Sequence, residues 1–241
     1  MTNVDKNPRL GGRRVGLIIP SVNAIIEPEF AWLGLPGLSF HAARIMLRET
    51  TPEGIRAMNA ELGAAARLIA SVTPDVVAYA CTSGSFLDGP DALRRQIEEI
   101  RALVGCPVVA TSAAMIEALR HLGIKRIALA TPYLDSVNEP ERRFFEGNGI
   151  AVITLRSLGL SGKAIREVPP ERVVALAREA NHLEAEALFI SCTDFRALET
   201  VAFLEAELRK PVLTSNQVTL WAVLRALGMP TRVPGFGRLL A

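Results

Sequence analysis

The chain reads as an α/β protein of two pseudo-symmetric, Rossmann-like halves, each a mostly parallel four-stranded sheet flanked by helices. Three observations predict this. Eight short apolar runs rich in β-branched residues alternate with longer segments whose apolar side chains fall three or four apart, and such alternation builds parallel sheets. The short runs are apolar almost throughout, as strands covered on both faces must be. The second half of the chain also repeats the first.

The strands are expected at Arg14–Pro20, Ser39–Met46, Asp75–Ala80 and Pro107–Ala110, and again at Arg126–Thr131, Ala151–Leu155, Ala187–Ser191 and Pro211–Thr214. Between them, Pro52–Ser71 and Pro90–Val104 open with proline, whose fixed φ suits a first helical turn, and carry helical periodicity. Each reads as one helix covering a sheet.

The repeat fixes the architecture. Arg14-Val15-Gly16-Leu17-Ile18-Ile19-Pro20 returns at Arg126 to Pro132, and Ala80-Cys81-Thr82 returns as Ser191-Cys192-Thr193. Pro107-Val108-Val109-Ala110-Thr111-Ser112 is echoed by Pro211-Val212-Leu213-Thr214-Ser215. The first half is expected to span residues 1–112 plus 216–241 and the second 113–215, with the active site in the cleft between them.

Duplication places Cys81 and Cys192 at equivalent points, each beyond the carboxyl end of a strand, where open α/β sheets bind ligands. Two thiols facing one small molecule suit proton removal on one side and return on the other, or addition to a C=C bond, rotation and elimination. The N-terminus of a helix following each cysteine is expected to lower its pKa or to hold a substrate carboxylate. Thr82, Ser83 and Thr193 add hydroxyl donors there, and the neighbouring strand ends bring Ser21, Asn23 and Tyr133. Uncharged donors of this kind bind a carboxylate and stabilise an enediolate as charge develops. No cofactor is required by this chemistry.

Composition excludes several classes. Hydrophobic residues make up 49% of the 241, enough for a sizeable core. A formal charge of +2 with scattered basic residues gives no nucleic-acid footprint. The polar stretch Met1 to Arg14 has no apolar leader core, and no apolar run is long enough to cross a bilayer, so a cytoplasmic protein without membrane partners is expected. Cys81, Cys106 and Cys192 form no close pair, and His41, His121 and His182 have no metal-like spacing, so no disulfide and no metal are assigned. Gly11, Gly12 and Gly16 are not a dinucleotide fingerprint, because the glycines precede the strand instead of following it. Tyr79 is expected to face the core by strand alternation. Apolar helix faces leave room for a homo-oligomer.

Gly16-Leu17-Ile18-Ile19-Pro20-Ser21-Val22-Asn23, Ala80-Cys81-Thr82-Ser83-Gly84, Ala130-Thr131-Pro132-Tyr133 and Ser191-Cys192-Thr193 together resemble, in order, the active-site segments of the aspartate/glutamate racemase superfamily, in its maleate cis-trans isomerase and arylmalonate decarboxylase branch. The resemblance implies Cys81 as nucleophile or base, Cys192 as partner acid or base, and Asn23, Thr82, Ser83 and Tyr133 as carboxylate binders. The expected activity is cofactor-independent isomerisation or racemisation of a small dicarboxylate or amino acid. Ala128 to Glu139, Arg156 to Gly162 and Pro234 to Leu239 look like the decarboxylase, which by this resemblance has glycine where Cys81 stands. An arylmalonate-type decarboxylase using Cys192 as proton donor is therefore the first rival. The loop Leu160-Ser161-Gly162-Lys163 departs from the amide-bearing loop of maleate isomerases. A small-carboxylate-binding protein that only closes on its ligand is the second rival.

Overall fold

A computed structural model describes residues 12–241. Most of the polar opening segment, with Gly11, lies outside the described residues.

All eight expected strands form. In the first sheet β1 (Arg13–Pro20), β2 (Leu38–Ile45), β3 (Val76–Tyr79) and β4 (Val108–Ala110) lie in the order β2-β1-β3-β4, and every pairing is parallel. In the second, β5 (Arg126–Tyr133), β6 (Ala151–Leu160), β7 (Ala187–Ile190) and β8 (Val212–Thr214) lie in the order β6-β5-β7-β8, again all parallel. The same topology twice is the duplication seen in three dimensions. Each order reverses direction beside its first strand, so a crevice opens beyond the carboxyl ends of β1 and β3, and of β5 and β7.

Matching contacts start the strands of each half. Asp75 accepts from the Arg14 N–H and from Arg13 Nη1, both at 2.8 Å. Its counterpart Glu186 accepts from the N–H groups of Lys125 and Arg126 at 2.7 and 3.0 Å. The central strands are fully buried: Val76 to Ala80 and Ala187 to Ile190 expose nothing. Gly16 is required within β1, because a Cβ there would stand 2.7 Å from Ile69 Cγ1 and 3.0 Å from Val77 Cγ2.

The expected helix over Pro52–Ser71 is two helices, α2 (Pro52–Asn59) and α3 (Leu62–Ala70). The first ends at Asn59, whose side-chain amide donates to the Gly84 carbonyl at 2.9 Å and accepts from the Tyr79 hydroxyl. β6 also runs five residues past the expected end at Leu155, since pairing continues to Leu160 beside Tyr133.

Helix α6 (Thr111–His121) and helix α10 (Ser215–Ala226) pack on each other between the sheets, and α10 also lies on β3, β4 and β8. Their contact is polar at its centre, where the Thr111 and Thr219 hydroxyls meet at 2.8 Å. Buried hydroxyls that satisfy each other fix the relative position of the halves more specifically than apolar packing alone. No helix among the described residues is long and apolar enough to cross a membrane.

Candidate active site

Cys81 and Cys192 line one pocket at the junction of the two sheets, and Thr82, Ser83, Tyr133, Thr193 and Asp194 line it with them. Its free volume is only about 20 Å³, so the walls stand close around it.

Cys81 caps the short helix α4 (Thr82–Phe86) from extended backbone, and its Sγ accepts from the Gly84 N–H at 3.3 Å with the Ser83 hydroxyl 3.8 Å away. Gly84 admits this close approach, since a Cβ there would stand 3.0 Å from Sγ and 1.9 Å from the Tyr79 hydroxyl. The expected lowering of the thiol pKa does not occur. Burial pushes Cys81 up to about 11, against the opposing pull of the Gly84 N–H, the Ser83 hydroxyl and the Tyr79 phenol. A five-residue helix and three hydrogen bonds do not replace the water that a thiolate loses.

Cys192 differs in conformation from its repeat partner. Its φ is +94°, in the region that favours glycine, whereas Cys81 is extended. Such backbone costs roughly 1–3 kcal/mol and persists only where its surroundings enforce it. Here Ser215 Oγ accepts from the Cys192 N–H at 3.0 Å, and the Asp194 N–H donates back to Cys192 Sγ at 3.4 Å. Burial raises the pKa of this thiol too, with the Asp194 charge adding to it, while a hydrogen bond from Tyr133 opposes both.

Thr82 donates to Ser215 Oγ at 2.9 Å, so Ser215 joins one segment from each half. Thr193 donates to the Ala80 carbonyl at 3.2 Å and accepts from Asn23 Nδ2 at 3.0 Å. Tyr133 is buried against Phe86, with ring centroids 6.5 Å apart.

Two expected binders are not brought into the pocket lining. The Ser21 hydroxyl accepts from the Leu47 N–H at 3.1 Å and turns toward Met46, because the chain after β1 leans on β2. Asn23 is spent on structure: its Oδ1 caps the N–H groups of Ile25 and Ile26, and its Nδ2 holds Thr193. Three contributors escaped the sequence reading. Ser215 was visible in the Thr-Ser echo of Thr111-Ser112, Asp194 only as the residue after Cys192-Thr193, and Thr50 not at all. Thr50 belongs to the mouth: its N–H donates to Ser161 Oγ at 3.0 Å and its Oγ1 accepts from the Gly162 N–H at 3.2 Å. Leu47 and Ile165 complete this roof, and Lys163 lies outside it.

The profile of the arylmalonate decarboxylase family matches residues 15–240, nearly the whole chain. The chain belongs to the arylmalonate decarboxylase family. Within reach of that family, a maleate isomerase from Nocardia farcinica is 35% identical, with 96% of each chain covered. An arylmalonate decarboxylase from Bordetella bronchiseptica is 31% identical, covering 93% of this chain and 95% of its own. The fold agrees as well. A cysteine-to-serine variant of the Nocardia farcinica maleate cis-trans isomerase, solved with a covalently bound succinylcysteine intermediate, superposes with a TM-score of 0.92 at 32% identity, over 95% of this chain and 98% of that one. The family thus spans isomerisation and decarboxylation on one fold, and the sulfur content of the pocket bears on which applies.

Proposed function

We propose that this member of the family is a cofactor-independent isomerase or racemase acting on a small dicarboxylate or amino acid, in the manner of the maleate isomerases it is similar to. The observation that carries this reading is that Cys81 and Cys192, one from each duplicated half, line a single small pocket. Ser83 and Tyr133 hold a substrate carboxylate as neutral donors, while Thr82, whose hydroxyl is given to Ser215, and Thr193 on the Asn23 side hold the pocket wall in place.

Burial keeps both sulfurs as thiols in the free protein, so the reaction starts from the minor thiolate form of Cys81, whose proton has passed to solvent water. For an unsaturated substrate, the thiolate adds to one olefinic carbon and the electron pair moves into an enediolate held by the donors. Cys192 gives its proton to the neighbouring carbon; rotation about the new single bond, return of a proton to the Cys192 thiolate and expulsion of the Cys81 thiolate then give the trans isomer. For an amino acid, the thiolate takes the α-proton and Cys192 delivers its own proton to the opposite face, leaving Cys81 as thiol and Cys192 as thiolate. The free thiols suit a reducing cytoplasm.

Decarboxylation is the second reading, favoured by the family match and by Cys192 lining the pocket as a protonated thiol, able to reprotonate an enediolate after carbon dioxide leaves. Assays of maleate, aspartate-like amino acids and arylmalonates separate the two. The first reading predicts an isomerised or racemised product that vanishes in Cys81→Ala. Carbon dioxide release that survives or rises in Cys81→Gly, with no isomerisation in the parent, selects the second.

A further inference from the structure

We infer that the substrate carries an ammonium group opposite its carboxylate, and that Asp194 receives it. This rests on the proposed chemistry and narrows its substrate class.

Among the residues lining the pocket, Asp194 alone bears a formal charge. Its side chain is largely buried, at 9% exposure. Oδ1 accepts from the Ala24 N–H at 2.8 Å, but Oδ2 is enclosed without a hydrogen-bond partner. A buried carboxylate oxygen ordinarily has its acceptor capacity filled, so an orphan beside a binding pocket marks a missing donor. Neighbouring cations do not supply it. Arg166 Nη1 stands 3.8 Å from Oδ2, beyond hydrogen-bond range, and donates to the Val22 carbonyl. Arg44 is engaged by the Ser21 and Asn23 carbonyls and by Glu27.

The pocket is therefore polarised. Ser83 and Tyr133 offer neutral donors to one carboxylate, while the Asp194 end offers an acceptor and a negative charge that the Arg166 ion pair at 3.8 Å only partly offsets. A second carboxylate placed there would meet a like charge out of water and leave Oδ2 unsatisfied. An ammonium supplies the N–H that Oδ2 lacks and forms a charge-assisted hydrogen bond. Burial raises Asp194 to about 6, with Arg166 and Arg44 opposing, so the group is still largely ionised at neutral pH.

The test measures binding, not turnover, of a matched pair: maleate, and cis-4-aminobut-2-enoate, in which an aminomethyl group replaces one carboxylate. Both are titrated calorimetrically into the Cys81→Ala protein and into the same protein carrying Asp194→Asn. Preference for the amino compound by at least about ten-fold, lost in the Asp194→Asn protein while maleate binding holds or improves, is the expected result. Maleate bound as tightly as the amino compound, neither compound bound, or equal weakening of both by Asp194→Asn overturns the inference. The first comparison stands even if Asp194→Asn folds poorly. Failure of the proposed reaction appears separately, as wild-type protein that turns over no substrate.

Discussion

At the scale of single residues, the behaviour of the two sulfurs follows from burial. Because burial holds the free Cys81 thiol near a pKa of about 11, its thiolate fraction, and hence its alkylation rate by iodoacetamide, should climb about ten-fold per pH unit between pH 7 and pH 10. A plateau reached below pH 8 would show that the Gly84, Ser83 and Tyr79 contacts outweigh desolvation. Gly84 itself admits no side chain. Gly84→Ala should cost about 1–3 kcal/mol in urea denaturation and depress turnover, because a methyl collides with the Tyr79 hydroxyl and crowds Cys81 Sγ. Cysteine positions were legible from sequence since a repeated Cys-Thr at strand ends survives duplication. Their pKa and the positive φ of Cys192 were not, because both depend on packing that sequence spacing does not encode.

Among elements, the two connections that roof the pocket matter most. The segment after β2 and the segment after β6 come from different halves, yet Thr50 ties them through Ser161 and Gly162. Each such bond is worth roughly 0.5–1.5 kcal/mol net. The double variant Thr50→Val with Ser161→Ala should therefore raise KM several-fold and speed Cys81 alkylation at fixed pH, with the melting temperature lowered by only several degrees; unaltered KM and alkylation would mean the roof is held by Leu47 and Ile165 instead. Strand positions were read closely because continuous apolar runs bounded by Pro, Asp and Gly leave little choice. The split of the 52–71 helix was not, since no proline or glycine marks the break between Asn59 and Leu62. Ser21 and Asn23 illustrate the same limit: adjacency to a strand end was correct, but the side-chain partners that draw them out of the pocket come from β2 and α1 (Ile26–Trp32).

For the whole molecule, two carboxyls buried beneath the site govern the pH dependence of stability. Glu29, which accepts from Asn216 Nδ2 at 2.6 Å, and Glu141, which accepts from Ser191, are each raised to about 8 by burial. Their folded pKa exceeds the unfolded value, so the folded state binds more protons between about 4.5 and 8. Stability from this source is complete below that window and is lost as pH rises through it. The melting temperature should fall from pH 5.5 to pH 8.5, and Glu141→Gln should flatten the fall; a melting temperature that rises over this interval would contradict the assignment. Asp75 and Glu186, held low by backbone and arginine contacts, act only at acid pH, and as nearly exposed groups they act weakly. The duplicated plan that unites these features was legible because each half keeps its own copy of the strand-opening acid and strand-closing cysteine. The central claim is that both sulfurs work on one substrate, and single-turnover assays of Cys81→Ala and Cys192→Ala, on whichever carboxylate the parent protein converts fastest, address it most directly. The account predicts that isomerisation or racemisation falls by at least about a thousand-fold in each variant while ligand binding persists; near-parental conversion by either one would contradict it.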